Sequence, residues 1–123
     1  IDPNIVKFIG TGAWDDVIFF NEPSLQNAIF PGVEYSKREH LINEYATFYG
    51  EDLMRISTLP YDLVGLLAFL INNKYKLKDF YKLVDNKSVI FDGVDGNFYF
   101  KGNLIERELG ILKIHKGEAL QIN

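Results

Sequence analysis

Residues 58–71, TLPYDLVGLLAFLI, constrain everything else in this chain. Leu59, Leu63, Val64, Leu66, Leu67, Phe69, Leu70 and Ile71 leave the segment almost no polar face, so as a helix it requires protein on most of its sides. Both ends are written locally. Ser57 or Thr58 can accept a hydrogen bond from a free N–H of the first turn, and Pro60 suits the first helical position, where no N–H is needed. Asn72, Asn73 and Lys74 supply a polar stop, with a cation near the negative end of the helix dipole. At about fourteen residues the run falls short of the roughly twenty that cross a bilayer, and Asp62 lies inside it. The segment therefore reads as a core helix and not as a membrane span.

A chain of 123 residues, 47% hydrophobic and 24% charged, can bury one core, so a single domain over 1–123 is expected. The net charge of −4 lacks the basic footprint that phosphate contacts demand, which argues against a nucleic-acid partner. The short basic runs at Lys37-Arg38 and Lys74 to Lys78 read as solvated faces. Cysteine is absent, which removes disulfides, thiolate metal sites and a cysteine nucleophile together. The sequence opens on Ile1-Asp2-Pro3 without a Met, as a piece of a longer protein would.

Taken in order, Ile5, Val6, Phe8 and Ile9 read as a buried strand that stops at Gly10-Thr11-Gly12. Loops at the carboxyl ends of strands line the ligand crevice in open α/β sheets, which makes the continuation Ala13-Trp14-Asp15-Asp16 of interest. Either Asp can cap a short helix toward Phe20, and Pro23-Ser24 opens a further turn. Ala28 to Phe30 reads as a second strand that Pro31-Gly32 forces to end or to run at an edge. Ser36-Lys37-Arg38-Glu39 has the form of a capping box. The helix after it carries Leu41, Ile42, Tyr45, Phe48 and Tyr49 on one face and a terminating Gly50. Leu77, Phe80, Tyr81 and Val84 suggest a shorter amphipathic helix. From Phe91 the period changes to turns and strands, and residues 109–114 and 118–122 pair most simply as a hairpin around Lys116-Gly117. The chain thus divides into an α/β part, 1–85, and a β-rich closing segment, 86–123.

Sites of chemistry are mostly absent. Gly10-Thr11-Gly12-Ala13-Trp14-Asp15 has Asp where a dinucleotide loop needs its third Gly. Asp92, Asp95 and Asn97 lack the Glu that closes a calcium loop, so they read as turn residues. His40 and His115 stand far apart with no neighbouring ligand, and no metal is expected. Adjacent Asp15 and Asp16 diverge, so they read as caps sooner than as an acid/base pair. No serine lies in a nucleophile elbow, and no catalytic residue is assigned. Asn86-Lys87-Ser88 fits a glycosylation sequon, a pattern common by chance. Trp14, a lone Trp in a loop after a strand, can stack on a ligand or lid the core.

The order of these signals resembles a known family. Phe8-Ile9-Gly10-Thr11-Gly12 with Trp14-Asp15-Asp16 is followed by Glu22-Pro23, Leu25-Gln26 and a helix ending Tyr45-Ala46-Thr47-Phe48-Tyr49-Gly50. Tyr61-Asp62 and Phe91-Asp92-Gly93-Val94-Asp95-Gly96-Asn97-Phe98 with Arg107 complete the series. From about Phe8 to its end the chain resembles the C-terminal part of type I periplasmic binding proteins. Within them it looks most like the penicillin-binding protein activators and the leucine/isoleucine/valine-binding ABC-transporter proteins.

The resemblance implies an α/β fold, one lobe of a two-lobed protein, three-layered with a mainly parallel sheet and ending in β-hairpins. It implies a non-catalytic protein without cofactor that is exported to the periplasm, with a second lobe and a lipid anchor upstream. Its partner would be a small, amino-acid-like ligand or a cell-wall synthase. Thr11, Gly12, Trp14, Asp15, Asp16 and Tyr35 would border the cleft, and Val94, Asp95 and Gly96 would lie near the hinge. One departure bears on the ligand. In amino-acid-binding members a Glu in the first of these loops helps hold the ligand ammonium, and here Gly12 stands at that position.

Overall fold

The computed structural model describes residues 5–85 and 89–123, which leaves the Asn86-Lys87-Ser88 sequon outside the described residues. Four helices form in them: α1 (Val17–Phe20), α2 (Ser36–Tyr49), α3 (Thr58–Asn72) and α4 (Leu77–Asp85). Six strands accompany these: β1 (Ile29–Gly32), β2 (Phe91–Gly93), β3 (Gly96–Lys101), β4 (Leu104–Arg107), β5 (Gly110–His115) and β6 (Glu118–Gln121). No described helix is long and apolar enough to cross a membrane. The chain groups into two compact units. One runs to Glu39 and resumes over Leu109–Asn123, and the other is His40–Glu108.

In the first unit, β1, β5 and β6 form a sheet in the order β1-β5-β6, every pair antiparallel. The β5–β6 hairpin expected around Lys116-Gly117 is present, with both residues at positive φ, 51° and 86°. Such a turn twists with its strands. The Lys116 N–H donates to Gln26 Oε1 at 2.8 Å. Pro31 sits inside β1, opposite Ile111, at the edge of this three-stranded sheet. Phe20, Ala28, Phe30, Leu112 and Ile114 form the buried core, with Phe8, Trp14, Phe19, Leu25 and Ala119 packed against it.

The mainly parallel sheet expected from the resemblance is not what the six strands form. Parallel pairing among the described residues is confined to the approach of residues 8–10 to Ile29. There Gly10 N–H donates to Ile29 O at 2.8 Å and Ile29 N–H to Phe8 O at 3.0 Å. That segment is also not the buried strand expected, since Ile5, Val6 and Ile9 are exposed and Phe8 alone of the four turns toward the core.

In the second unit, β2, β3 and β4 make an antiparallel sheet. Its face carries Phe91, Phe98 and Phe100, packed against Leu66 and Leu70 of α3 and Phe80 and Leu83 of α4. Phe80 meets Phe100 edge-on at 6.0 Å, and Phe91 stacks on Phe98 at 5.3 Å, both favoured ring geometries. The side chains of Leu77 and Val84, expected on the apolar face of α4, lie outside the described set. On the exposed β3–β4 surface Tyr99 and Lys101 both donate to Glu106, at 2.8 Å each. Those hydrogen bonds, with the negative charge beside them, raise both pKa values above their ordinary range. Their contribution is therefore present at neutral pH and lost only as alkaline pH passes the raised values.

α3 begins at Thr58, whose hydroxyl donates to Arg55 O at 3.0 Å and accepts from Arg55 Nη1 at 2.8 Å. Pro60 is thus its third residue, still within the turn that needs no N–H. Asn73 closes the helix, its side-chain amide donating to Phe69 O at 2.8 Å. The described residues do not give the helix the cover on most sides that is expected of a core helix. Thr58, Asp62, Leu66 and Leu70 form one buried stripe, and Val64, Leu67 and Ile71 are exposed at 64%, 54% and 74%. The helix is apolar all round but covered along one line of i, i+4 positions.

A polar cluster fastens this stripe to the sheet. The Asp62 carboxylate accepts from Val94 N–H at 2.8 Å, Asp95 N–H at 3.3 Å and Arg107 Nη1 at 2.8 Å. Arg107 also lies 4.9 Å over the Phe98 ring, and Arg55 pairs with Asp95 at 2.7 Å. Gly93 lets the hairpin come this close, because a Cβ there would stand 2.5 Å from Asp62 Oδ2.

Candidate functional site

The loop that follows the first paired segment is built by its own side chains. Thr11 Oγ accepts from Ala13 N–H at 3.3 Å and opens a 3-10 turn, Gly12–Trp14, which Asp15 closes by donating its N–H to Gly12 O at 3.2 Å. Asp16 then caps α1, its carboxylate accepting from Ile18 N–H at 2.9 Å. Capping is thus the observed role of Asp16, as the sequence suggested.

Asp15 has a different fate. It is 5% exposed and accepts from Arg38 Nη1 at 2.6 Å and Nη2 at 2.9 Å, a two-pronged pair between planar groups. Arg38 Nη2 also reaches Val33 O at 3.4 Å. The solvated reading of Lys37-Arg38 is therefore wrong for Arg38, which is 3% exposed. Helical spacing carried the signal: Arg38 shares a face with Leu41, Ile42 and Tyr45, and a charge on an apolar face calls for a buried partner. The capping box is replaced as well. Tyr35 O accepts from both Arg38 N–H and Glu39 N–H, while the Ser36 hydroxyl donates to Glu34 at 3.2 Å.

Trp14 lies half-buried against the first core, with its ring over the backbone of Gly10. A Cβ on Gly10 would run into the six-membered ring of the indole. Gly10→Ala should accordingly dislodge the ring and cost about 1–3 kcal/mol, the usual range for overpacking. A lower denaturant midpoint together with a red-shifted emission from Trp14, the chain's one tryptophan, is the expected result. An unchanged spectrum would mean that the ring does not rest on this glycine.

The structure therefore brings Thr11, Gly12, Trp14, Asp15 and Asp16 into one short loop, and the Asp15–Arg38 pair ties that loop to the helix turn after the exposed Tyr35. Thr11, Gly12 and Asp16 are exposed. One carboxylate of the loop is thus held by a cation and the other is engaged as a cap. Val94, Asp95 and Gly96 are not part of it. They form the tip of the β2–β3 hairpin, inside the other compact unit, on the Asp62 carboxylate. Among the described residues no group of three or more His, Cys, Asp or Glu side chains could hold a metal ion.

No family model matches the sequence, and no curated protein matches it. Solved structures do. A protein named as a branched-chain amino acid ABC transporter from Rhodospirillum rubrum superposes with a TM-score of 0.72 at 17% identity, over 93% of this chain and 36% of that one. LpoA from Haemophilus influenzae matches in two crystal structures, with TM-scores of 0.58 and 0.56 at 16% and 17% identity. Both cover 98% of this chain, and 22% and 23% of LpoA. The chain thus shares the fold of part of these proteins, and the resemblance to type I periplasmic binding proteins holds at the level of the fold. It spans little more than a third, at most, of the structures it matches.

Proposed function

We propose that this chain is part of a non-catalytic, exported ligand-binding protein of the periplasmic-binding type, in which residues 11–16 and Tyr35 border the ligand. The observation that carries the reading is the fold shared with the Rhodospirillum rubrum transporter protein over nearly the whole of this chain. In this reading Thr11, Gly12, Trp14, Asp16 and Tyr35 face a small, amino-acid-like molecule, and Asp15 holds the loop in place. The uncovered side of α3 supports a larger assembly, because Val64, Leu67 and Ile71 are the kind of surface that further protein of the same fold covers. The protein acts in the periplasm, anchored to lipid through residues upstream, and uses no cofactor.

The test is calorimetry of the intact polypeptide against free amino acids and small amides. Saturable binding to one class is expected. Trp14→Ala should then weaken binding about tenfold or more, that is by about 1.4 kcal/mol or more. Because the ring is only half-buried, its stability cost should stay below the roughly 3–5 kcal/mol of a fully buried aromatic. Silence across the panel would contradict the reading.

A second reading is a regulator of peptidoglycan synthesis, like the penicillin-binding protein activators, acting by protein contact. It is favoured by the likeness to LpoA and by Gly12, which cannot supply a charge for a ligand ammonium. Co-purification of a peptidoglycan synthase with the intact polypeptide, together with a silent calorimetric panel, would select it.

A further inference from the structure

We propose that Arg38 is the positioning residue of the 11–16 loop, fixing through Asp15 the direction in which Trp14 is presented. Two buried opposite charges gain little net stability, because the desolvation of both offsets their attraction, and well-packed apolar residues of similar volume do as well. What the pair supplies is geometry. Parallel bonds of 2.6 and 2.9 Å between a guanidinium and a carboxylate define a plane as well as a distance.

That plane is anchored on the Arg38 side by backbone. Arg38 lies in the first turn of α2, its N–H donates to Tyr35 O at 2.8 Å, and Nη2 reaches Val33 O. On the other side the carboxylate belongs to the residue directly after Trp14, whose N–H closes the 3-10 turn onto Gly12. Holding Asp15 thus holds one end of the turn that bears the indole, and bare Gly10 receives the ring from beneath. The loop and the turn carrying Tyr35 become a single piece. With Asp15 neutralised, that piece meets a ligand through the Trp14 and Tyr35 rings and exposed backbone. This last consequence rests on the ligand-bordering reading; the geometry does not.

The experiment compares the unsubstituted chain with the double variant Asp15→Leu/Arg38→Met and with Arg38→Lys, which keeps the charge but not the fork. Unfolding transitions are recorded beside Trp14 emission and acrylamide quenching. The expected result is a cooperative transition in both variants, with Trp14 emission red-shifted and more readily quenched. Emission and quenching unchanged in a folded double variant would overturn the proposal. Should the double variant fail to fold, Arg38→Lys decides: a red shift in the folded protein supports the proposal, and parental emission overturns it. Loss of folding in both would make the pair a stability element instead, and would overturn it too. No ligand enters the measurement, so its failure is distinct from failure of the ligand-binding reading.

Discussion

Leu66→Asp should leave the second unit unfolded, while the same change one residue on, Leu67→Asp, should leave the 123-residue chain folded. Leu66 is 7% exposed and packs with Leu70 and Phe98 beneath the aromatic face of the sheet, so a carboxylate there is buried among apolar side chains. Its cost exceeds about 4 kcal/mol, in the range reached by burying an unpaired charge. Leu67 points to solvent, and Asp at that site loses mainly helix propensity, up to about 0.7 kcal/mol. Urea unfolding followed by circular dichroism reads both. If further protein covers the outer face of α3, as proposed, Leu67→Asp should become costly in the longer polypeptide and stay mild in this chain. Equal tolerance in both would argue that this face is solvent-exposed throughout.

Asp62→Ala is the second large effect. The carboxylate serves Val94 N–H, Asp95 N–H and Arg107 together, and its removal leaves two peptide donors without their acceptor and a mostly buried guanidinium without its counter-charge. Breaking such a buried pair by deleting one partner costs about 3–5 kcal/mol. Arg107→Met should cost less than Asp62→Ala, since the carboxylate it leaves without a cation keeps both peptide donors and the Phe98 face can take an apolar chain in place of the guanidinium. A double-mutant cycle in urea should show the two residues strongly coupled. Additive losses would mean that the hairpin tip is held by the backbone turn alone.

These two residues also show how far the sequence could be read. The helical spacing of α2, the bounded apolar run of α3 and the turn signals of the β5–β6 hairpin are local and reappear in the structure, whereas the capping box and the buried strand at residues 5–9 do not. Partners brought from a distance did not show. Asp62 inside an apolar run argued against a membrane span, yet its cation, Arg107, arrives from 45 residues away. β1 takes its partner from β5, near the other end of the chain, and that long return turned an expected parallel sheet into an antiparallel one. Hydrophobicity likewise stated that α3 needs cover without stating who provides it. Arg38 was legible in principle, because helical spacing set it on an apolar face, but a basic neighbour at Lys37 disguised it as surface.

Residues 11–16 are proposed to meet a ligand. Hydrogen–deuterium exchange on the intact polypeptide, with and without a molecule that calorimetry shows to bind, reads that contact residue by residue. Slower exchange is expected at Gly12, Ala13 and Trp14, whose loop is exposed at its leading residues. A saturating ligand that leaves those three amides unchanged while protecting amides elsewhere would contradict it.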